Sequence, residues 1–352
     1  MLTATVPDSY LRPEARGWRC RPAPGDVPGF HRALDGYRPT PLVELPALAA
    51  EAGVGRLFVK DESDRFGLPA FKILGASWAI RQALAARAGS RHATLVAATE
   101  GNHGRAVARV ARMRRQPAHI FVPATISAAS AAAIRSEGAT VTTVPDGYDE
   151  TVRRAAAYAA EDPSRLLIQD TAWPGYEQVP GWIVEGYSTL FHEVDAQLAA
   201  AGATPAALVG VPVGVGSLAQ AAVVHHRSGP GRPAALLGVE PAVAGCVTTS
   251  LRTGALTEVP TGTTVLAGLN CGVPSSLAWP YLRDGLDAAT TVSDDEAVRA
   301  RADLAALGVP AGASGAAPLA GLRAMRHRTD LGLTRASTVV LLSTDGAAGR
   351  PA

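Results

Sequence analysis

Lysine is almost missing from this 352-residue chain: among its 33 basic residues only Lys60 and Lys72 are lysines, and all the others are arginines. Arginine replaces lysine well as a surface charge, but its guanidinium stays protonated and cannot form a Schiff base. A lysine that remains in such a chain is therefore a candidate for amine chemistry. Lys72 stands in "PAFKILGAS", whereas Lys60 in "FVKDES" also fits an ion-paired strand end.

Cysteine and long apolar runs are scarce as well, and both absences narrow the class of protein. The three cysteines form no CxxC pair, which argues against a secreted disulfide framework or a zinc site. No apolar run reaches the roughly 18 residues of a membrane span, and the first residues lack the layout of a secretion signal. A net charge of +2 gives no reason to expect nucleic acid or an anionic membrane as a partner. We therefore expect a cytoplasmic protein that binds neither.

Short apolar segments alternate with helical ones through most of the chain. Strands such as "AALVGVP" (206–212) and "ALLGVEP" (235–241) lack polar alternation, which is typical of parallel strands covered by helices on both faces. Repeated βα units predict an open α/β fold, in which ligands bind beyond the carboxyl ends of the strands. We also predict a strand over 165–170, a helical stretch near 182–201 and an irregular N-terminal arm over 1–40.

A glycine-containing loop, "PVGVGSLAQAA" (212–222), follows a predicted strand and opens a predicted helix. Gly214 and Gly216 let the backbone approach an anion closely, and the N–H groups at the helix N-terminus favour a phosphate. The loop lacks the ending of a Walker motif, and a tight strand-to-helix turn needs glycine in any case. Phosphate binding and plain turn geometry are both consistent with it.

A second loop, "ATEGNHGRAVA" (98–108), also ends a predicted strand and starts a helix. Residues 99–103 present hydroxyl, amide and backbone donors at that helix N-terminus, which suits the carboxylate of a substrate. The alternative is that Thr99 or Asn102 only caps the helix.

Two further strand ends carry polar side chains. In "LIQDTAWPGYEQ", Asp170 is either a turn former or a partly desolvated proton acceptor whose pKa is raised beside Trp173 and Tyr176. In "VVLLSTDG", Ser343 and Thr344 are either turn residues or hydroxyl partners for a ring nitrogen.

These four features fit one cofactor. A reactive amine, a phosphate loop, a carboxylate loop and a hydroxyl for a heteroaromatic nitrogen are what pyridoxal phosphate and an amino acid require. A hydroxyl partner, in contrast to an aspartate, leaves the pyridine nitrogen unprotonated. That weaker electron sink favours β-elimination over transamination.

The motifs "PAFKILGAS", "TEGNHGRAVA" and "PVGVGSLAQA", in this order, resemble those of the tryptophan-synthase-β-like, or fold type II, pyridoxal-phosphate enzymes. Within that group, "QDTAWPGY" and "VLAGLNCGVPSSLAW" are similar to stretches of the diaminopropionate ammonia-lyases. The resemblance runs from about residue 37 to the final strand. It implies two domains of open twisted sheets covered by helices: a large cofactor-binding domain, 1–75 and 173–352, and a small mobile domain, 76–172.

The resemblance also implies roles for single residues. Lys72 would bind the cofactor aldehyde as an imine, and Asp170 and Glu100 would be the bases that act on the L- and D-isomers of the substrate. Phe71 would lie against the cofactor ring, Asn102 would contact its 3-hydroxyl and Ser343 its nitrogen. The implied contacts of the phosphate are Gly214, Val215, Gly216, Ser217 and Leu218. The implied contacts of the substrate carboxylate are Thr99, Gly101 and His103.

The chain departs from the resembled pattern at three positions. Glu100 replaces an aspartate, Ala313 replaces an acid before "SGA", and Val273 replaces an acid shortly after Cys271. Cys246 and Cys271 lie in stretches that approach each other in the resembled fold, so that two reduced thiols and a redox-sensitive pair both remain open.

The implied reaction is an α,β-elimination in a homodimer that converts a small amino acid, 2,3-diaminopropionate, to pyruvate and ammonia. A serine/threonine-type dehydratase and a biosynthetic β-replacement enzyme are the alternatives within the enzyme class. A retired relative that binds the cofactor or an amino acid as a regulator is the non-enzymatic alternative. A further alternative is a nucleotide-binding α/β protein that uses the 212–222 loop. Such a protein would need Glu240 as its ribose-binding acid.

Overall fold

The computed structural model describes residues 8–87, 92–229, 233–326 and 329–346, and within them it confirms the α/β class. Residues 1–7 of the predicted arm lie outside the described residues. The strands are β1 Ser9–Leu11, β2 Leu42–Glu44, β3 Arg56–Asp61, β4 Thr94–Ala98, β5 Ala118–Pro123, β6 Thr140–Val144, β7 Arg165–Leu167, β8 Leu208–Pro212, β9 Ala235–Pro241, β10 Ala288–Val292 and β11 Thr338–Ser343.

Helices follow most of the strands. They are α1 Val27–Arg32, α2 Pro46–Ala52, α3 Ile73–Ala85, α4 Asn102–Met113, α5 Ala128–Ser136, α6 Tyr148–Ala160, α7 Gln178–Gly186, α8 Ser188–Ala200, α9 Ser217–Ser228, α10 Cys246–Thr253, α11 Trp279–Gly285, α12 Asp294–Ala306 and α13 Ala313–Met325. Among the described residues, none of these helices is both long and apolar enough to cross a membrane.

The larger sheet has seven strands in the order β1-β10-β9-β8-β11-β3-β2. Its five inner strands pair in parallel, and the two short edge strands β1 and β2 pair antiparallel. Every residue of β8, β9 and β11 is buried, as the apolar sequences of these strands predict for strands with helices on both faces. Because the inner strands are parallel, their carboxyl ends meet at one edge of the sheet.

The smaller sheet has four parallel strands in the order β6-β5-β4-β7. All four lie between residues 94 and 167, within the segment 76–172 that the sequence resemblance assigns to a small domain. Helices α3 and α4 pack together between the two sheets, and one hydrophobic core joins residues of both, such as Leu95 and Val209. The loop that follows β4 therefore lies where the two sheets approach each other.

Two predicted elements are wrong in their bounds. The strand predicted over 165–170 ends at Leu167, because Gln169 leaves the ladder: its backbone N–H donates to the Tyr176 hydroxyl, 3.0 Å away, and its side chain accepts from the Ala98 N–H. The helical stretch predicted near 182–201 begins earlier, at Gln178, and consists of two helices, α7 and α8, which meet at Tyr187.

Candidate active site

Lys72 lies at the start of α3, in a loop that is fixed to the end of β11. The N–H of Phe71 donates to the Thr344 carbonyl at 3.4 Å, and the N–H of Gly346 donates to the Pro69 carbonyl at 2.9 Å. The Lys72 side chain is 23 % exposed, and its Nζ donates to Asp170 Oδ2 at 2.7 Å. The structure thus brings together a lysine and an aspartate that are 98 residues apart in sequence.

Asp170 is a buried carboxylate between two basic groups. Burial raises the pKa of Asp170, but the charge of His103 in its protonated form and the charge of Lys72 outweigh burial and hold this pKa well below its ordinary range. The raised pKa predicted from the neighbouring aromatic residues is therefore wrong in sign. The reason is the Lys72 ammonium 2.7 Å away, which the local sequence does not show.

His103 is the second group beside this carboxylate. Its Nε2 donates to the Ile168 carbonyl at 2.7 Å, which leaves Nδ1 directed toward Asp170 Oδ2 at 3.7 Å. The Nδ1 atom has no hydrogen-bond partner among the described residues. Burial lowers the pKa of His103, so the ring is neutral at physiological pH and offers a lone pair at Nδ1.

The loop before α4 combines a capping function with the predicted anion-binding geometry. Thr99 Oγ1 accepts from the N–H groups of Gly101, at 2.9 Å, and Gly104, at 3.0 Å, so the capping alternative describes this hydroxyl correctly. Gly101 has φ +154°. Asn102 begins the helix and is exposed. The N–H groups of Asn102 and His103, the first two of α4, have no carbonyl partner inside the helix and remain available to an anion.

Glu100 lies in the same loop and is half-buried. Burial and then the negative charge of Asp149 raise the pKa of Glu100 to about 7. Both the protonated and the ionised form of Glu100 are therefore present near neutral pH, in contrast to the ionised Asp170. The two candidate bases thus differ in protonation state.

The glycine loop lies at the end of β8 and is joined directly to the aspartate. Ser217 Oγ donates to the backbone carbonyl of Asp170 at 2.7 Å. Gly216 has φ +99°, and a Cβ there would lie 2.6 Å from the side chain of Leu282, so both the backbone and the space require glycine. A Cβ on Gly214 would approach the Cys271 Sγ to 3.2 Å. The loop therefore leads into the N-terminus of α9 with no side chain of its own at these two positions.

Ser343 ends β11 beside the lysine loop. It is fully buried, and its Oγ has no hydrogen-bond partner among the described residues. Buried hydroxyls are normally paired, so an unpaired one indicates that a partner from outside the protein completes the site.

An acid that sequence reasoning missed lies close to Ser343. Asp345 Oδ1 accepts from the Gly315 N–H at 2.6 Å, at the start of α13. Burial raises the pKa of Asp345 to about 6. Ala313, where the resembled pattern has an acid, begins the same helix. The start of α13 thus has no acid of its own at position 313, but Asp345, just after β11, places a carboxylate there. The other departure, Val273, is exposed.

Three more side chains near the lysine were not predicted as part of the site. The Tyr148 hydroxyl accepts from Gln169 Nε2 at 2.9 Å and lies in the field of Asp170 and Glu100. Burial, and then Glu100 and Asp170, raise the pKa of the Cys271 thiol to about 12. The Tyr187 ring packs against Phe71, with ring centroids 4.7 Å apart. Tyr148 follows a strand, so the rule that polar residues after strand ends form the site could have found it. Tyr187 lies between two helices, where that rule does not apply.

Cys246 and Cys271 are both free thiols in the structure. The Cys246 Sγ lies 3.8 Å from the Gly214 carbonyl, and a Cβ on that same glycine would approach Cys271. Both cysteines therefore flank the glycine loop in reduced form.

Lys60, the alternative amine, is fully engaged elsewhere. Its side chain has no exposed surface, and its Nζ donates to the Thr40 carbonyl, to Glu193 Oε2 and to Gln197 Oε1, at 2.7 to 2.8 Å. An ammonium with three protein acceptors has no free position for an aldehyde. The interpretation of Lys60 as an ion-paired strand residue agrees with this geometry.

Glu240, which the nucleotide alternative needs, is also engaged. Its carboxylate accepts from the N–H groups of Val247 and Thr248 and from the Thr248 hydroxyl, at 2.6 to 2.8 Å. It is buried against α10, so it offers no free oxygen to a ribose.

A cavity of about 810 Å³ lies elsewhere, between the N-terminal arm and helices α7 to α9. None of the predicted site residues lines this cavity. We place the active site at Lys72, because the reactive amine and its carboxylate are there.

The residues around Lys72 fit pyridoxal phosphate. The amine is partly exposed, the glycine loop leads into a helix N-terminus with no side chains of its own at positions 214 and 216, and the buried Ser343 hydroxyl lacks a partner among the described residues. Two α/β sheets with a lysine and a glycine loop near their strand ends are the arrangement of the lysine-dependent cofactor enzymes of fold type II.

Comparisons with known proteins identify the family. A family profile described as "Pyridoxal-phosphate dependent enzyme" matches residues 33–345, and the chain belongs to this family. It is 35 % identical to the diaminopropionate ammonia-lyase of Escherichia coli strain K12, over 90 % of this chain and 86 % of that protein. The diaminopropionate ammonia-lyase of Salmonella typhimurium is 33 % identical, over 91 % of this chain and 88 % of that protein. The crystal structure of the holo Escherichia coli enzyme superposes with a TM-score of 0.87 at 32 % identity, over 97 % of this chain and 93 % of that one. The predicted cofactor and enzyme class are thereby confirmed.

Proposed function

We propose that this chain eliminates ammonia from 2,3-diaminopropionate and yields pyruvate and ammonia. The observation that carries the proposal is the 2.7 Å contact between Lys72 Nζ and Asp170 Oδ2, because it places an amine for the cofactor beside an ionised base. The named activity of the two bacterial relatives supports the choice of substrate.

Pyridoxal phosphate, when bound, supplies an electron sink that stabilises negative charge on the substrate α-carbon. Lys72 would hold its aldehyde, and Phe71 would lie against its ring. The remaining cofactor contacts in this proposal are Asn102 at the 3-hydroxyl, Ser343 at the ring nitrogen, and Gly214, Val215, Gly216, Ser217 and Leu218 at the phosphate. Support comes from the unpaired Ser343 Oγ and from the φ of Gly216.

The start of α4 binds the substrate carboxylate in this proposal. The N–H groups of this helix end attract an anion, and the Thr99 hydroxyl, which accepts from Gly101 and Gly104, keeps its own proton to donate. His103 completes this side of the site with its free Nδ1, which suits an ammonium donor. The substrate is thereby oriented with its α-carbon toward Asp170.

Two carboxylates remove the α-proton, one for each isomer. Asp170 takes it from the L-isomer, and its lowered pKa keeps it ionised throughout the neutral range. Glu100 takes it from the D-isomer, in the fraction of molecules in which it is ionised. The chain therefore acts on both isomers, with different dependence on pH.

We also propose that residues 76–172 form a small domain that moves to close the site, and that the chain is a cytoplasmic homodimer. The four strands between 94 and 167 support the domain bounds. The three free cysteines are in keeping with a reducing compartment. Light scattering during size-exclusion chromatography measures the oligomeric state directly.

The test of the function is an assay of the purified holoenzyme with L- and D-2,3-diaminopropionate and with L-serine. We expect two ammonia molecules for each pyruvate from diaminopropionate. Preference for L-serine, with one ammonia for each pyruvate, would instead establish a dehydratase. If none of these amino acids changes the absorbance of the bound cofactor, the chain is a retired protein that only binds the cofactor.

A further inference from the structure

Tyr187 has a buried hydroxyl without a partner next to the lysine. The residue is fully buried, and its hydroxyl oxygen has no hydrogen-bond partner among the described residues. Its ring lies against Phe71, with centroids 4.7 Å apart, and the Lys72 Nζ lies 5.3 Å from the centroid of the same Phe71 ring. A buried hydroxyl without a partner is unfavourable, so its presence calls for an explanation.

The position of the ring is fixed by close packing. A Cβ on Gly75, in the first turn of α3, would lie 2.6 Å from Tyr187 Cε1 and 2.7 Å from Ile183. The absence of a side chain at position 75 therefore admits the tyrosine ring beside the lysine that begins α3. The hydroxyl also lies in the electrostatic field of the Lys72 amine.

Tyr187 and Asp170 offer the amine different kinds of hydrogen bond. An ionised carboxylate only accepts, so Asp170 holds Lys72 in its ammonium form. A phenol also donates, and burial raises the pKa of Tyr187, so its proton is present at neutral pH. A neutral amine has a lone pair and needs a donor. Only the neutral amine attacks an aldehyde or an imine, so this form has to exist during each cofactor exchange.

We propose that Tyr187 is a positioning residue whose hydroxyl donates a hydrogen bond to the neutral amine of Lys72. The inference deepens the proposed function, since it depends on Lys72 being the cofactor lysine. It does not depend on which amino acid is the substrate. Around the amine the titratable groups are Asp170, Cys271, His103 and Tyr187.

The two-lysine composition allows a direct test. In protein labelled with ¹³C-lysine, the ε-methylene groups give two signals, and Lys60 serves as an internal reference. The full-length chain, freed of cofactor, is titrated from about pH 7 to about pH 11, around the ordinary lysine pKa of about 10.4. The Asp170→Asn background brings the Lys72 midpoint into this range by removing the carboxylate. Tyr187→Phe is then compared with Tyr281→Phe, a tyrosine that packs against Trp18 away from the lysine.

We expect Tyr187→Phe to raise the Lys72 midpoint by about 0.5 to 1 pH unit, which lowers the neutral fraction about three- to tenfold, with no change at Lys60. An unchanged midpoint would show that Tyr187 only packs, and a lowered one would show that its oxygen accepts from the ammonium. Either result overturns the inference and leaves the substrate assay untouched.

A second variant covers the case in which Tyr187→Phe does not fold. Fluorotyrosine placed at 187 keeps the shape of the ring and makes the hydroxyl a stronger donor. We expect this change to shift the Lys72 midpoint in the opposite direction, downward. An upward shift or no shift would contradict the inference.

Discussion

Lys60 and Lys72 each lie 2.7 Å from a carboxylate oxygen, yet their surroundings differ in almost every other respect. Lys60 belongs to a buried cluster of two cations and two anions, with Arg65, Glu62 and Glu193, in which every charge has several partners. Lys72 has one carboxylate partner and a side chain that is 23 % exposed. Burial lowers the pKa of Lys60, whereas the charge of Asp170 outweighs burial and raises the pKa of Lys72.

The comparison shows how one residue type serves structure in one place and chemistry in another. The Lys60 cluster ties residues 37–40 to β3 and α8, and it leaves no ammonium proton free. Around Lys72, in contrast, Ser343, Tyr187 and His103 all have a buried polar atom without a described partner. Groups that are left unpaired around an accessible amine indicate a place for a ligand.

We expect the largest effect when each lysine is replaced by arginine, because only the lysine that binds the cofactor needs an amine. Arginine keeps the charge at either position but cannot form an imine. We expect Lys72→Arg to abolish turnover and the visible absorbance of lysine-bound cofactor, and Lys60→Arg to retain both. Activity and absorbance spectra of the two variants check this. Retained colour in Lys72→Arg would refute the assignment.

Removal of the base is expected to have the next largest effect. Asp170→Asn leaves Lys72 in place, so the cofactor absorbance stays, but turnover of the L-isomer falls by about 10²- to 10⁴-fold. The matched control is Glu100→Gln, which should impair the D-isomer instead. Steady-state rates with each isomer measure both, and equal losses for the two isomers in Asp170→Asn would contradict the division of roles.

In the Lys60 cluster, loss of the lysine amine should lower the stability of the fold. Lys60→Met leaves Glu193 buried with one cation fewer, and we expect the free energy of unfolding to fall by about 3–5 kcal/mol. Lys72→Met should cost less, because water reaches this side chain. Urea unfolding of both variants gives the values. A larger loss at Lys72 would reverse the comparison.

The two bases should also differ in pH dependence. The pKa of Glu100 is raised to about 7, so this base loses its charge as the pH falls through that value. The kcat/KM for the D-isomer should therefore drop about tenfold for each pH unit below about 7. Asp170 has a lowered pKa and stays ionised there, so the L-isomer should lack this limb. Identical profiles for the two isomers would count against separate bases.

The smallest effect concerns the unpaired hydroxyl. Ser343→Ala removes no hydrogen bond within the described protein, so stability should change by less than about 0.5 kcal/mol. The cofactor, in contrast, should bind about two- to tenfold more weakly, which corresponds to one hydrogen bond. Thr40→Val is the control from the Lys60 cluster, where the hydroxyl bonds both Glu62 and Arg65. It should destabilise the fold and leave cofactor affinity unchanged, as calorimetry and cofactor titration will show.

Much of this site follows from sequence, because each predicted residue lies at the end of an apolar strand or at the start of a helix. Lys72 is conspicuous by composition, and the loops at Gly214 and Thr99 follow buried strands that the apolar pattern marks. The α/β class follows from the same pattern.

The rest depends on distances that no local pattern contains. The sign of the Asp170 pKa is set by a lysine 98 residues earlier, and Lys60 finds Glu193 at a separation of 133 residues. Asp345 reaches a helix that begins 32 residues before it, and Tyr187 enters the site through a gap at Gly75. These placements come from packing in three dimensions.

The central claim is that the Lys72 amine carries the cofactor. Borohydride reduction of the holoenzyme, followed by peptide mapping, fixes the cofactor to its lysine, and the chain offers only two lysines. The account predicts the label on the peptide that contains Lys72. A label on the Lys60 peptide, or on neither, would contradict it.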